Sequence, residues 1–217
     1  MEIYIIRHGR TLWNKEQRLQ GSADIELSDS GRAPAIESSQ NMKDIHFDKI
    51  FSSPLKRAYE TACILRGDRE LEIITDDRLR ELDFGSYEGR TMEELNNDPT
   101  CTFRYFFDKP ELYRATEDGE TLEHLCERAS QFMKEQIEPL AETCERILIV
   151  AHGAINKAMM THVKKHGIAD FWSGGLQRNC AVIMMNYHDG VYEIQDENKL
   201  FYQLKERVVN QDGKTRL

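Results

Sequence analysis

A mostly apolar run at residues 2–6 and an unbroken apolar run at 147–151 are the strongest pattern along the chain. A strand buried on both faces of a parallel sheet has this continuous apolar character. A shorter strand is predicted at 49–52. Two further strands are predicted on either side of His188-Asp189-Gly190, because Asp-Gly is a strong hairpin signal. The pattern therefore predicts a sheet that ends in a hairpin near the C-terminus.

Helical periodicity is clearest after Thr121, where apolar residues recur at helical spacing and predict an amphipathic helix that bends or ends near Pro139. Thr91 and Glu94 form a capping-box match for a brief helix. Gly167 is a natural stop for a helix that follows the second apolar run. The remaining helices are predicted over about 28–43, 54–65 and 153–166.

Strands that alternate with helices predict an α/β protein. The expected architecture is a three-layer sandwich, with a mostly parallel central sheet and helices on both faces. No internal repeat, low-complexity block or Gly/Ser linker divides the chain. We therefore expect a single domain over 1–217, with a polar C-terminal tail from about residue 203.

Composition narrows the functional classes. The chain has 217 residues, 40% of them hydrophobic and 31% charged, and no stretch approaches the roughly 20 apolar residues of a membrane span. Its N-terminus lacks the features of a signal peptide. The five cysteines form no CxxC pair, which predicts reduced thiols in a cytoplasmic protein, most of them small core residues. A net charge of −9 without a long basic run argues against nucleic acid as a partner.

Both apolar runs end in a histidine followed by a glycine, in Arg7-His8-Gly9 and Ala151-His152-Gly153. In open α/β sheets ligands bind beyond the carboxyl ends of the strands, so the two imidazoles are expected side by side. A lone histidine at a strand end is more often structural, but a matched pair next to an arginine indicates a site. Arg7 and Arg57 suit phosphate, since a guanidinium donates to two oxygens at once.

His162 and His166 stand four residues apart on a predicted helix, a spacing that can bind metal. No third ligand is evident, and the pair lies among lysines near a helix C-terminus, where basic residues interact favourably with the helix dipole. We therefore predict no metal and no other cofactor.

An ordered set of motifs resembles the histidine phosphatase superfamily, the phosphoglycerate-mutase-like fold. The matching segments begin with Arg7-His8-Gly9-Arg10-Thr11-Leu12-Trp13-Asn14 and Arg18-Leu19-Gln20-Gly21, and continue with Ser52-Ser53-Pro54-Leu55-Lys56-Arg57-Ala58, Arg80-Glu81-Leu82-Asp83-Phe84-Gly85, Asp118-Gly119-Glu120-Thr121 and Val150-Ala151-His152-Gly153. A lone Arg-His-Gly tripeptide is weak evidence, whereas this ordered set spans roughly residues 1–200.

The resemblance implies a mechanism for each matched residue. His8 is then the nucleophile that forms a phosphohistidine, and Glu81 is the proton donor. Arg7, Arg57 and His152 would hold the phosphoryl oxygens. The family's phosphate and substrate pocket is lined at the positions of Asn14, Gln20, Gly21 and Gly153. The implied partner is a small phosphorylated substrate, with inorganic phosphate as the product.

The family contains both phosphatases and phosphoglycerate mutases. The segment 102–110 holds four aromatic residues and isolated basic ones, in place of the arginine pair of cofactor-dependent mutases, which favours hydrolysis of a less charged or partly apolar ester. Arg10 and Ala154 depart from the family pattern and are expected to affect specificity. The alternatives are a cofactor-dependent mutase or a non-catalytic phosphate-binding regulatory module. The physiological substrate, and whether the protein is a monomer or a homodimer, stay open.

Overall fold

The computed structural model describes residues 1–204, so the predicted polar tail lies almost entirely outside the described residues. Six strands form one sheet in the order β3-β2-β4-β1-β5-β6. The strands are β1 (Glu2–Arg7), β2 (Lys49–Ser52), β3 (Ile73–Thr75), β4 (Arg146–Ala151), β5 (Val182–His188) and β6 (Val191–Lys199). The two predicted apolar runs are thus adjacent strands at the centre of the sheet.

Strands β1 to β4 are mutually parallel, and β5 and β6 add an antiparallel edge. In the register between β1 and β4, Arg7 pairs with Ala151. The two strands therefore end at the same level, and the residues that follow them, His8 and His152, emerge next to each other.

The α-helices are α1 (Leu12–Lys15), α2 (Asp29–Asn41), α3 (Lys56–Arg66), α4 (Met92–Asn97), α5 (Leu122–Phe132) and α6 (Gly153–Lys164). Ser28 caps α2, since its hydroxyl accepts from the Gly31 amide. The predicted capping box is present at α4, where the Thr91 side chain accepts from the Glu94 amide and the Glu94 carboxylate accepts from the Thr91 amide.

Helices cover both faces of the sheet, which confirms the predicted α/β sandwich. Ile3, Ile5, Ile147 and Ile149 belong to a core cluster that also contains residues of α5 and α6. The alternating side chains of the same strands, such as Ile6 and Val150, pack in a second cluster with residues of α3. Each central strand is buried on both sides because each of its faces meets a helical layer.

Three helix boundaries differ from the prediction. Helix α3 begins at Lys56 rather than at Pro54. Helix α5 ends at Phe132, and the chain continues as a π-helical and then a 3₁₀ segment through Pro139. Helix α6 ends at Lys164, because Lys165 adopts a left-handed conformation with φ 56° and its amide closes the last turn on the Thr161 carbonyl. The helix therefore ends two residues before the predicted end at about residue 166, and Gly167 is not its stop.

The hairpin prediction is confirmed. Asp189 and Gly190 have φ values of 49° and 78°, as a two-residue turn between twisted antiparallel strands requires. Of the five cysteines, Cys101, Cys144 and Cys180 are buried, as expected of core thiols. Within the described residues no helix is long and apolar enough to cross a membrane.

Candidate active site

A cavity of about 250 Å³ opens beyond the carboxyl ends of β1 and β4. Of the residues predicted to form the site, Arg7, His8, Asn14, Gln20, Glu81 and Gly153 line it. His8 and Glu81 are the deep members of this set, with 3% and 8% of their surface exposed. The fold thus brings Arg7, His8 and Gly153 of the two strand-end motifs together with Asn14, Gln20 and Glu81, which the family resemblance indicated.

The imidazole of His8 is held in one tautomer. Its Nδ1 lies 2.6 Å from the carbonyl oxygen of Gly9, and because a carbonyl can only accept, Nδ1 carries the proton. Burial, reinforced by the charges of Arg57 and Arg7, lowers the pKa of His8 well below 6.5. The ring is therefore neutral near pH 7, and Nε2 carries a lone pair.

Two hydrogen bonds hold the backbone of the loop that carries His8. The Gly9 amide donates to Thr61 Oγ1 at 3.0 Å, and Asn179 Nδ2 donates to the His8 carbonyl at 2.9 Å. These bonds fix the backbone that aims the imidazole, and thus the position of Nε2.

His152 lies beside His8, with ring centroids 5.0 Å apart. Its Nδ1 accepts from Arg57 Nε at 3.1 Å, so Nε2 carries the proton and donates to Ser53 Oγ at 2.8 Å. Burial, then the nearby Arg57 charge, lowers the pKa of His152 well below 6.5. A second neutral imidazole therefore stands beside the first, with an N–H as its outer donor.

Arg57 is completely buried and fully engaged with the protein. Its Nη2 donates to the Gly21 carbonyl at 2.7 Å and its Nη1 to the Ala23 carbonyl at 2.8 Å. Burial lowers the pKa of Arg57 to about 10, so the guanidinium keeps its charge at neutral pH. Gly21 in turn packs closely against the segment after Glu81, since a Cβ there would lie 2.3 Å from the Leu82 carbonyl oxygen.

Three residues predicted to touch the phosphoryl group or line its pocket lie behind the cavity surface. Arg57, His152 and Gly21 are absent from the residues that line it, and they form the supporting layer just described. The sequence motifs contain these residues, but the partners of Arg57 are carbonyls distant in the chain, which no local pattern reveals.

Arg7 supplies positive charge at the cavity surface. Its Nη1 donates to the Gln177 carbonyl at 2.7 Å, whereas its buried Nε finds no hydrogen-bond partner among residues 1–204. Burial lowers the pKa of Arg7, and the Glu81 carboxylate opposes that effect. A Cβ placed on Gly153 would lie 3.6 Å from both Arg7 Nε and Glu81 Oε2, so these groups converge on the glycine. The unpaired Nε is a donor suited to an oxyanion.

Glu81 is anchored by the N-terminus of α6. Its Oε1 accepts from the amides of Ala154 and Ile155, each at 3.1 Å, and from its neighbour Leu82 at 3.0 Å. The first amides of a helix lack intrahelical partners, so they position an acidic side chain well. Ala154, a departure from the family pattern, contributes through its backbone, whereas Arg10 does not line the cavity.

Asn14 and Gln20 also line the cavity. Asn14 Oδ1 accepts from the Thr11 amide at 3.1 Å, which leaves the Nδ2 amide as a donor. The Gln20 amide lies 2.7 Å from Thr11 Oγ1. Both side chains are thereby fixed by the same threonine at the start of α1.

Sequence reasoning missed several residues of the site. Ser53 binds His152, Gln177 binds Arg7 through its carbonyl, and Leu176 and Arg18 line the cavity. The available signals were that Ser53 follows a predicted strand and that Ser53 and Arg18 both lie within the matching motif segments. Phe106 and Phe107 of the aromatic segment 102–110 line the cavity, and so does Trp172, for which core packing was the expectation.

The histidine pair considered for metal is engaged otherwise. His162 bonds Glu138 Oε1 at 2.9 Å and Ser130 Oγ at 3.0 Å, and His166 lies 3.2 Å from the Gly167 carbonyl. Across residues 1–204, no three His, Cys, Asp or Glu side chains are grouped so as to hold a metal ion.

Known proteins share both the sequence and the fold. A probable 2-carboxy-D-arabinitol-1-phosphatase of Arabidopsis thaliana is 34% identical over 85% of this chain, which spans only 38% of that protein. A 2,3-bisphosphoglycerate-dependent phosphoglycerate mutase of Cytophaga hutchinsonii is 31% identical over 75% of this chain and 77% of its own length. The structure of Bacillus stearothermophilus YhfR superposes with a TM-score of 0.80 and 31% identity, covering 89% of this chain and 94% of that one.

The model of the histidine phosphatase superfamily (branch 1) matches residues 3–199, which include every motif that carried the resemblance. The same span holds the six-stranded sandwich, the paired imidazoles and the anchored glutamate. The chain therefore belongs to the histidine phosphatase superfamily, branch 1.

Proposed function

We propose that this protein hydrolyses phosphate monoesters by two transfers of the phosphoryl group, first to His8 and then to water. One observation carries the proposal: a neutral His8 imidazole, fixed through Nδ1 to the Gly9 carbonyl, stands with its Nε2 lone pair beside Arg7. A neutral imidazole is a nucleophile at physiological pH, and splitting a hard displacement into two steps lowers the barrier.

In the first transfer, His8 Nε2 forms a bond to phosphorus as the bond from phosphorus to the ester oxygen breaks. Arg7 donates to the phosphoryl oxygens, over which charge spreads in the transition state. Glu81, held at the N-terminus of α6, starts the cycle as the protonated acid and gives its proton to the leaving oxygen, so the alcohol departs neutral and Glu81 becomes a carboxylate.

In the second transfer, water attacks the phosphohistidine and the bond from phosphorus to Nε2 breaks. Glu81 takes a proton from this water and thereby returns to the form in which the cycle began. Inorganic phosphate leaves and His8 regains its lone pair. Positive charge comes from arginine at both steps, so the proposal assigns no role to a metal ion.

The supporting layer is assigned to orientation and charge. Arg57 holds His152 in the tautomer whose Nε2–H points outward, and its own charge lies next to the phosphoryl site. In the structure the Nε2–H of His152 donates to Ser53 Oγ. We propose that it donates to a phosphoryl oxygen instead when substrate is bound. Asn14 and Gln20, which also line the cavity, are assigned as further hydrogen-bond donors to the phosphoryl oxygens.

Hydrolysis is favoured over mutase activity by the charges of the cavity. Of the side chains among residues 1–204 that line it, only Arg7, Glu81 and Arg18 are charged. Arg18 is already paired with Glu16 at 2.7 Å and with the Gly89 carbonyl at 2.8 Å. A mutase must hold a substrate with a second anionic group, and this lining offers no further cation for it. A nucleophile and a proton donor together also argue against a purely regulatory module.

The test uses purified protein with a chelator and p-nitrophenyl phosphate at mildly acidic pH. We expect hydrolysis by the native chain, a loss of more than about 10³-fold in His8→Ala, and native rates in His188→Ala, since His188 lies on the exposed hairpin. Undiminished activity of His8→Ala would refute the mechanism. With 3-phosphoglycerate and a trace of its 2,3-bisphosphate, isomer exchange far faster than phosphate release would favour the mutase instead.

A further inference from the structure

The outer half of the cavity is an apolar wall contributed by two segments distant in sequence. Phe106 and Phe107 come from a loop before α5, and Trp172 and Leu176 from the loop between α6 and β5. The Trp172 ring centroid lies 4.9 Å from that of Phe107 and 5.2 Å from that of Phe106. Tilted and edge-to-face contacts of this kind join the two loops into one surface.

This wall meets solvent although it is apolar. Phe107 and Leu176 are 37% and 42% exposed. Large apolar side chains that stay exposed at the mouth of a cavity mark a surface that a ligand covers. Leu176 also reaches the reacting centre, since its Cδ1 is 2.8 Å from where a Cβ on Gly153 would stand. The wall therefore begins where the leaving group of a bound ester departs.

The wall is held in place from beneath. Lys157, a buried residue of α6, donates from Nζ to the Ser173 carbonyl at 2.7 Å. Gln177 fastens the other end of the same loop, donating from Nε2 to the carbonyls of Ile5 and Ala181. A surface bound at both ends is preformed, so covering it costs little ordering of the protein.

We propose that the preferred substrate is a phosphate monoester whose leaving alcohol carries an uncharged aromatic ring, which lies against Phe107, Trp172 and Leu176. This substrate class rests on the proposed function, because it assigns the wall to the leaving group of the same reaction. We propose an uncharged ring because none of the four wall residues is cationic. Arg18, a cation elsewhere in the described lining, is already paired with Glu16 and is not free to bind an acidic substituent.

The experiment compares kcat/KM for 2-phenylethyl phosphate, ethyl phosphate and 3-phosphoglycerate with the full chain. The first two release primary alcohols of similar basicity, so their ratio reports the ring rather than the leaving-group chemistry. We expect the phenylethyl ester to be favoured over ethyl phosphate by about tenfold or more, as apolar contacts of this size allow. We expect 3-phosphoglycerate to be poorer than the phenylethyl ester.

Phe107→Ala and Leu176→Ala are each expected to lower the phenylethyl-to-ethyl ratio by about fivefold. Leu112→Ala is the matched control, because Leu112 is a similarly exposed apolar residue of the same loop but does not line the cavity. It should leave the ratio unchanged.

A ratio near one in the native chain, a native ratio in both wall variants, or a higher kcat/KM for 3-phosphoglycerate would each overturn the substrate class while hydrolysis itself stands. Failure of the native chain to hydrolyse any of the esters would instead contradict the proposed function, and the substrate class with it.

Discussion

At the scale of single residues, the site is built on two imidazoles kept neutral by their surroundings. His8 and His152 are 3% and 0% exposed, and two arginines lie close to them. The positive charge that would attract a phosphoryl group also disfavours protonation of the nucleophile. One arrangement thus supplies both a lone pair at His8 and a field for an anion.

The neutral histidines make folding sensitive to acid. In the unfolded chain both titrate near pH 6.5, whereas burial and the arginine charges hold the pKa values of His8 and His152 well below that in the folded state. Below pH 6.5 the unfolded chain therefore binds more protons, and the free energy of unfolding falls as the pH falls. Each histidine contributes a slope of up to about 1.4 kcal/mol per pH unit.

Urea unfolding between pH 5 and pH 6.5 checks this expectation. His8→Gln should show a shallower loss of stability with falling pH than the native chain, whatever its absolute stability. His188→Gln is the control, since this side chain is 54% exposed on the hairpin and should leave the slope unchanged. Equal slopes in the native chain and His8→Gln would show that His8 does not resist protonation.

The strand-end pattern indicated Arg7 and His8, and the family resemblance added Glu81. All three line one cavity, and their catalytic roles stay a prediction. The hydrogen-bond partners of Arg57 and His152 could not be predicted from the sequence, because they are carbonyls and a hydroxyl that belong to other segments of the chain. Such partners are set by tertiary packing rather than by local pattern.

At the scale of elements, the loop between α6 and β5 links the wall to the chemistry. Gln177 is 2% exposed, and its amide bonds to Asn156 Nδ2 at 2.7 Å as well as to the carbonyls of Ile5 and Ala181. The backbone carbonyl of Gln177 accepts a hydrogen bond from Arg7 Nη1. The Gln177 side chain therefore holds the loop to the first strand and fixes the backbone that binds the arginine.

Gln177→Ala should lower the free energy of unfolding by about 2–3 kcal/mol, because it leaves buried Asn156 Nδ2 without its acceptor and removes a donor from the carbonyls of Ile5 and Ala181. Loss of kcat should accompany it, since the backbone carbonyl that binds Arg7 Nη1 is no longer held in place by the side chain. Chemical denaturation and steady-state kinetics measure the two effects.

Gln131→Ala provides the comparison, because Gln131 is an exposed helical glutamine, and a change within about 0.5 kcal/mol is expected there. A Gln177→Ala protein as stable and as active as the native one would show that the loop is held by other contacts.

Elements with strong local signals were predictable from the sequence. The capping box at Thr91, the cap at Ser28 and the Asp189-Gly190 turn depend on neighbours in the chain, and all three are present. Strand β3, of three residues, has no such signal and is stabilised by its pairing with β2. Helix α1, of four residues, has a local capping box between Thr11 and Asn14, which was not predicted from the sequence.

At the scale of the whole molecule, the site is a local exception to the overall charge. The chain carries a net charge of −9, yet Arg7 and Arg57 concentrate positive charge at one edge of the sheet. An anionic ester is therefore recognised by a focused field rather than by the protein as a whole. The alternation of strands and helices predicted the sandwich, whereas the strand order, set by long-range pairing, followed only from the structure.

The most direct test traps the covalent intermediate with Glu81→Gln and p-nitrophenyl phosphate. Because p-nitrophenolate leaves without a proton, the first transfer should proceed, whereas activation of water should fail. The result expected is a burst of one nitrophenolate per chain, with an alkali-stable, acid-labile phosphoryl group on His8, and no burst in the Glu81→Gln/His8→Ala double variant. Steady turnover without a burst, or a phosphoryl group on a residue other than His8, would contradict the proposed mechanism.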